Sequence, residues 1–166
     1  MNHFSLFSIN IICFIFFLCN YPVNGHESSH YSSLHFSGNI LQIAIPATAI
    51  GTTLGLKDFK GTGELANGCI ATAITTYGLK YAFNKRRPSG ENHSFPSGHA
   101  AIAFYGSGFI HHRYGWQYVV PAYAAAIFVG YSRVKIKEHW IQDVVGGAAI
   151  GLLYSILLTT PYHIKS

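Results

Sequence analysis

A chain of 166 residues has room for one domain, and with 49% apolar and only 10% charged residues it is built largely for an apolar setting. The formal net charge of +5 is gathered in three internal segments rather than in a tail, and no nucleic-acid-binding signature accompanies it, which excludes nucleic acid as the partner. Two of the three cysteines, Cys13 and Cys19, lie in the N-terminal apolar stretch; Cys69 alone cannot form an internal disulfide, so cysteine usage does not decide the redox compartment.

Residues 4–19 form an apolar stretch of signal-peptide length, followed by polar residues, with Val23 and Gly25 small enough to precede a cleavage point after Gly25. The segment before it is poor in charge, so an uncleaved membrane anchor is the alternative. Either reading of residues 1–25 places residue 26 outside the cytoplasm. Residues 26–38 read as a short polar extracytoplasmic connector, and 39–162 as one helical domain. Within it, apolar stretches recur at 40–56, 65–79, 100–110, 116–131 and 144–160. None is an uninterrupted twenty-residue span, and such lengths also suit buried helices of a soluble bundle. Small residues (Ala71, Ala73, Gly78, Ala124, Ala125, Gly146, Gly147, Ala148) favour close helix packing in a bilayer. Pro46 and Pro121, which would kink helices in water, are tolerated there. The stretch 144–160 is too uniformly apolar for a water-facing helix. An all-α transmembrane bundle of about five spans is therefore expected.

Threading the five stretches alternately through a membrane from an external residue 26 brings 80–88, 96–99 and 132–143 to the same outer face. Lys57, Lys60, His111, His112, Arg113 and Lys165 fall on the inner side, as the orientation rule prefers. The basic residues of the outer face break that rule, which marks them as functional.

Those outer segments are KYAFNKRRP (80–88), PSGH (96–99) and SRVKIKEHWIQD (132–143), and they hold seven of the eleven basic residues. His139 and Asp143 are four apart at the expected start of the last helix. That spacing puts them on one face, where the carboxylate can orient the imidazole as a nucleophile, or the two can be a helix-capping polar pair. Pro96 to His99 precede an apolar run, so their amides should open a helix and form an anion site, with Ser97 as hydroxyl donor or simple N-cap. Lys80, Arg87 and Arg133 supply cations of the kind that hold phosphate oxygens. Lys85, Arg86, Lys135 and Lys137 read as a solvated basic membrane edge that could attract acidic lipid.

The order Lys-x6-Arg-Pro, Pro-Ser-Gly-His, Ser-Arg-x5-His-x3-Asp resembles the signature of the type 2 phosphatidic acid phosphatase superfamily. Lys80, Arg87, Pro88, Pro96, Ser97, Gly98, His99, Ser132, Arg133, His139 and Asp143 meet every fixed position, and the similarity covers about residues 40–160. The resemblance implies an α-helical fold and hydrolysis of a phosphomonoester or diphosphate without metal or other cofactor. His139 would attack phosphorus and form a phosphohistidine, Asp143 would orient it, and His99 would protonate the leaving oxygen and later activate water. Lys80, Arg87, Ser97, the Gly98 amide and Arg133 would hold the equatorial oxygens.

The expected function is that of an integral-membrane lipid phosphatase, in a bacterial inner membrane with its site facing the periplasm. Phosphatidic acid, phosphatidylglycerophosphate, a polyprenyl diphosphate and the phosphates of lipid A all fit such a cradle, and neither the headgroup nor the oligomeric state is legible. A soluble periplasmic acid phosphatase of the same superfamily is the main competitor. A vanadate-binding haloperoxidase is disfavoured by the short chain. A catalytically silent phosphate- or lipid-binding membrane protein would need the cations but not His99, His139 and Asp143. His26, His30 and His35 read as part of the polar connector rather than a metal site. His93 reads as a loop residue able to line the site mouth, and His111 and His112 as a turn on the opposite side.

Overall fold

Five α-helices and no strand make up the described residues, 27–162, of the computed structural model: α1 Glu27–Gly55, α2 Phe59–Phe83, α3 Gly98–Tyr114, α4 Val119–Lys135 and α5 Ile141–Leu158, with a single 3-10 turn at Trp116–Tyr118 before α4. The leader or anchor expected at 1–25 lies outside the described residues. The five helices follow the five apolar stretches in order, but α1 starts well before position 40. Positions 27–38, expected as a connector, are the first three turns of that helix. The reason is packing: Gly38 is buried and a side chain there would run into Arg133 and Ser132 of α4, so this end of α1 lies directly on α4. Pro121 does not kink α4, because it falls in the first turn, where its missing N–H has no intrahelical partner to lose.

Local chemistry sets the other boundaries. Asp58 caps α2 by accepting from the Gly61 N–H at 2.9 Å. Asn84 ends α2 in the left-handed region at φ 41°, its N–H returning to the Lys80 carbonyl at 3.0 Å. Ser97 opens α3, accepting from the Ala100 N–H.

α3 is the central helix. Ala100, Ala101, Ala103, Tyr105 and Phe109 are buried, and α3 contributes none of the large exposed apolar side chains. Its closest neighbour is α5, because Gly147 and Gly151 present bare backbone: a Cβ at either would collide with the carbonyl oxygen of Ser97 or Ala101. Leu41, Ile45, Ala103, Ala125, Ala126 and Val129 join α1, α3 and α4 in one core cluster; Ala49, Leu65, Tyr105, Phe109, Ile110 and Ala122 bring in α2 in a second. The other four helices turn apolar residues outward, among them Ile43, Ile74, Ile127, Val145 and Leu157, each more than half exposed. Among the described helices α5 alone is long and apolar enough by itself to cross a membrane, with a mean hydropathy of 1.7. α3 and α4 are 17 residues each, and α2 carries Lys60, Glu64 and Lys80.

The two ends of the bundle differ in chemistry. At one end Arg113, buried, donates to both carboxylate oxygens of Asp58, to Glu64 and to the Thr160 carbonyl, tying α2, α3 and the segment after α5 together. At the other end, loop 84–97, the start of α3, the end of α4 and the 136–140 turn converge. Ser89 N–H donates to the Lys137 carbonyl and the Trp140 indole to the Arg86 carbonyl, each at 3.0 Å, so the two loops hold each other.

Candidate active site

A cavity of about 360 Å³ opens at this second end, and Lys80, Arg87, Gly98, His99, Arg133 and His139 all line it. Three segments far apart in sequence therefore meet around one space, as the clustering of cations predicts. Each cation is held in place. Lys80, in the last turn of α2, donates to the His93 carbonyl at 2.9 Å. Arg87 is paired with Glu138, which shares the cavity wall, and with Glu91 at 3.1 Å. Arg133 is 1% exposed yet carries a permanent charge, and its guanidinium reaches Asn39 Oδ1 and the His35 carbonyl of α1, each at 3.0 Å.

Ser97 and Asp143 stand behind this wall rather than in it. Ser97 is fully buried, with its hydroxyl spent on the cap of α3, and its N–H donates to the Asp143 carbonyl at 2.9 Å. That bond fixes the start of α3 against the start of α5. Gly98 does line the cavity, as the first residue of α3, where backbone N–H groups have no intrahelical acceptor.

The His139–Asp143 pair differs from the helical reading of its spacing. α5 begins at Ile141, so His139 sits in the preceding turn and Asp143 is the third residue of the helix, accepting from the N–H of Trp140 at 2.9 Å as an N-terminal cap. His139 Nδ1 is 3.9 Å from Asp143 Oδ2, too far for a hydrogen bond. The carboxylate, wholly buried, is instead bonded by Lys85 Nζ at 2.6 Å and Ser94 Oγ at 2.5 Å. Lys85 is thus not part of a solvated basic edge; its charge is bound to the carboxylate behind His139. Burial, reinforced by the Lys80 and Arg87 cations, pushes the His139 imidazole down to about 4 against the pull of Asp143. At neutral pH its ring is uncharged and keeps a lone pair.

Five residues near the site lie outside the sequence motifs' candidate set: His35, Asn39, Lys85, Ser94 and Glu138. Lys85, Ser94 and Glu138 neighbour motif positions, and that adjacency is the available signal. His35 and Asn39 come from α1, and nothing in their local sequence points to the cavity. His93 does line it, and its ring meets Tyr81 edge-on, with centroids 4.8 Å apart. Among the described residues no group of three or more His, Cys, Asp or Glu side chains is arranged to hold a metal ion.

Cations, a helix N-terminus and an uncharged imidazole facing one cavity define a site for phosphoryl transfer on a helical fold. The chain belongs to the PAP2 superfamily, whose family model matches residues 61–165, and it is a phosphatase acting on phosphate esters. It is 32% identical to a lipid A 4'-phosphatase of Helicobacter pylori (strain J99), over 95% of this chain and 83% of that protein. To a lipid A 1-phosphatase of Helicobacter pylori (strain 26695) it is 29% identical, over 84% of this chain and 74% of the relative. Among solved structures, it shares its fold with a transmembrane PAP2-type phosphatidylglycerolphosphate phosphatase from Bacillus subtilis. The TM-score is 0.50 at 21% identity, covering 91% of this chain and 93% of the other.

Proposed function

We propose that this protein is a membrane-embedded lipid phosphatase that removes a phosphate from a lipid A-type headgroup, a phosphorylated sugar on acyl chains, at the extracytoplasmic face. The observation that carries the reading is the convergence of Lys80, Arg87, Arg133, His99 and His139 on one cavity at one end of an apolar bundle. The relatives that match most of the chain at 32% and 29% identity act on lipid A, which favours that headgroup over a glycerol phosphate. The mouth supports it: Tyr77 and Tyr81 are more than half exposed beside the cavity, offering ring faces to a sugar, with Gln42 and His93 as polar partners.

A second, apolar groove of about 650 Å³ runs between Val134, Trp140, Ile141 and Val145, and His139 forms part of its wall too. With His139 as a shared wall residue, the groove offers the acyl part of the substrate an apolar lining beside the phosphate cradle. A small soluble ester needs no such lining. The outward apolar faces of α1, α2, α4 and α5 suit lipid, so the helices are read as membrane spans around central α3. The site then sits at headgroup depth, on the side away from Arg113.

The uncharged His139 ring attacks phosphorus, forming an N–P bond as the bond to the leaving oxygen breaks. His99 gives its proton to that oxygen, a transfer worth roughly a hundred- to ten-thousand-fold in rate. Negative charge on the three remaining oxygens falls to Lys80, Arg87, Arg133 and the Gly98 amide; losing one such donor costs about 3 kcal/mol of barrier. Water then cleaves the phosphohistidine, giving its proton back to His99 and releasing phosphate.

Phosphate release from lipid A, phosphatidylglycerophosphate, phosphatidic acid and p-nitrophenyl phosphate by detergent-purified protein tests the assignment. Lipid A should be the best substrate by kcat/KM. Preference for p-nitrophenyl phosphate would overturn the lipid reading, and preference for a glycerophospholipid would overturn the headgroup.

A further inference from the structure

The segment of α1 that contacts the cavity lies before the residues matched by the family model, and none of the three motifs includes it. Its Asn39 nevertheless stands at the centre of the site's hydrogen bonding. Asn39 Oδ1 is 3.0 Å from Arg133 Nη1 and 2.9 Å from His99 Nε2, and Asn39 Nδ2 is 3.3 Å from His35 Nδ1. A guanidinium can only donate, so the atom of Asn39 that faces Arg133 must be the carbonyl oxygen. The same oxygen faces His99 Nε2. Two lone pairs at 2.9 Å would repel, so Nε2 carries the proton and donates to Asn39. Arg133 Nη1, 3.4 Å from Nε2, is the more distant neighbour and sends its own hydrogen to Oδ1.

We propose that Asn39 is a positioning residue for the acid–base step: anchored by Arg133, it holds His99 in the Nε2–H tautomer and reserves Nδ1 for the substrate. This rests on the reading of His99 as the proton donor in phosphate-ester cleavage. The protonated ring then gives the Nδ1 proton to the leaving oxygen and remains neutral with its proton on Nε2, bonded to Asn39. When water attacks the phosphohistidine, its proton goes to Nδ1 and restores the charged ring. Asn39 accepts throughout and never exchanges a proton, because an amide oxygen carries no proton to give and is too weak a base to take one. Gly38, the preceding residue, lets the backbone of α1 come close enough for this contact, since a side chain there would strike Arg133.

His99 shares its cavity with Arg133 of α4, His35 of α1, Lys80 of α2, His139 of the turn before α5 and the Arg87–Glu138 pair, while its hydrogen-bond partner Asn39 is uncharged. Replacing Asn39 with aspartate keeps the acceptor and its shape but adds a negative charge in hydrogen-bond contact with the ring. The variant therefore separates a need for an acceptor at this position from mere filling of space. Asn39→Leu, which removes the acceptor, should lower kcat about ten- to a hundredfold, while Asn39→Asp retains most of it. Folded Asn39→Asp that loses as much activity as Asn39→Leu would overturn the proposal. Nitrogen-15 NMR of histidine-labelled wild-type protein, with His99 assigned by its loss in His99→Gln, decides the point without relying on any Asn39 variant. Neutral His99 should carry its proton on Nε2, and a proton on Nδ1 would overturn the assignment. If wild-type protein released no phosphate, the phosphatase reading would fall, and the tautomer would still decide whether Asn39 holds the ring.

Discussion

Lys85 Nζ lies 2.6 Å from one oxygen of the Asp143 carboxylate, while His139 Nδ1 stands 3.9 Å from the other. The nearest charge to the carboxylate behind His139 is therefore a lysine 58 residues upstream, on the loop between α2 and α3. The pair clamps that loop to the start of α5 and gives a fully buried carboxylate a cationic partner.

Lys85→Met should accordingly lower kcat by about tenfold or more, with a smaller change in KM, because a lost hydrogen bond to a charged group is worth roughly 1.5–3 kcal/mol. Steady-state phosphate release measures it. Wild-type kinetics in the variant would show the ammonium to be a surface charge after all.

The depressed His139 value sets the acid limb. The ring must be uncharged to attack, and with its value at about 4 it is uncharged through the neutral range and down to mild acid. The acid limb of kcat/KM due to this group should fall near pH 4, not near the ordinary histidine value of about 6.5. The same titration acts on stability. The unfolded chain takes up the proton first, so folding free energy declines as pH drops from about 6.5 towards 4. A pH–rate profile with buffer controls checks the first effect; an acid limb near 6.5 would show His139 to be solvated.

Much of this site was legible because anion chemistry constrains residue type. A chain with so few charges that places Lys80, Arg87 and Arg133 beside two histidines leaves few other readings, and alternate threading of the five apolar stretches already put their segments at one end. What was not legible depended on boundaries and on distance. The spacing of four between His139 and Asp143 suggested one helical face, but Trp140 is the N-cap and the helix starts one residue later. Residues 27–38 look polar enough for a linker, yet the turns around Gly38 are needed to cover Arg133. Asn39 contacts partners 60 and 94 residues away, and no local pattern announces such a pairing.

Helix approach gives a prediction away from the chemistry. A side chain at Gly147 would run into the Ser97 carbonyl and press on Ala101, so Gly147→Val should force α5 off α3. Overpacking of this kind costs about 1–3 kcal/mol. Activity should fall with stability, because Ser97 and Asp143 are linked across the same contact. Gly78→Ala is the control: nothing lies within 4 Å of the added Cβ, and stability should hold or rise slightly. Thermal unfolding of both variants in detergent measures the contrast, and equal behaviour would contradict the packing account.

The most direct test of the account is to trap the intermediate. Lipid A labelled with phosphorus-32 on the scissile phosphate is mixed with excess protein and quenched in base, in which phosphohistidine survives. Wild-type protein should carry label on His139, lost on acid treatment, and His139→Ala should carry none and release no phosphate while still binding a phosphate analogue such as vanadate. Label on another residue, or continued turnover in His139→Ala, would contradict His139 as the nucleophile of this site.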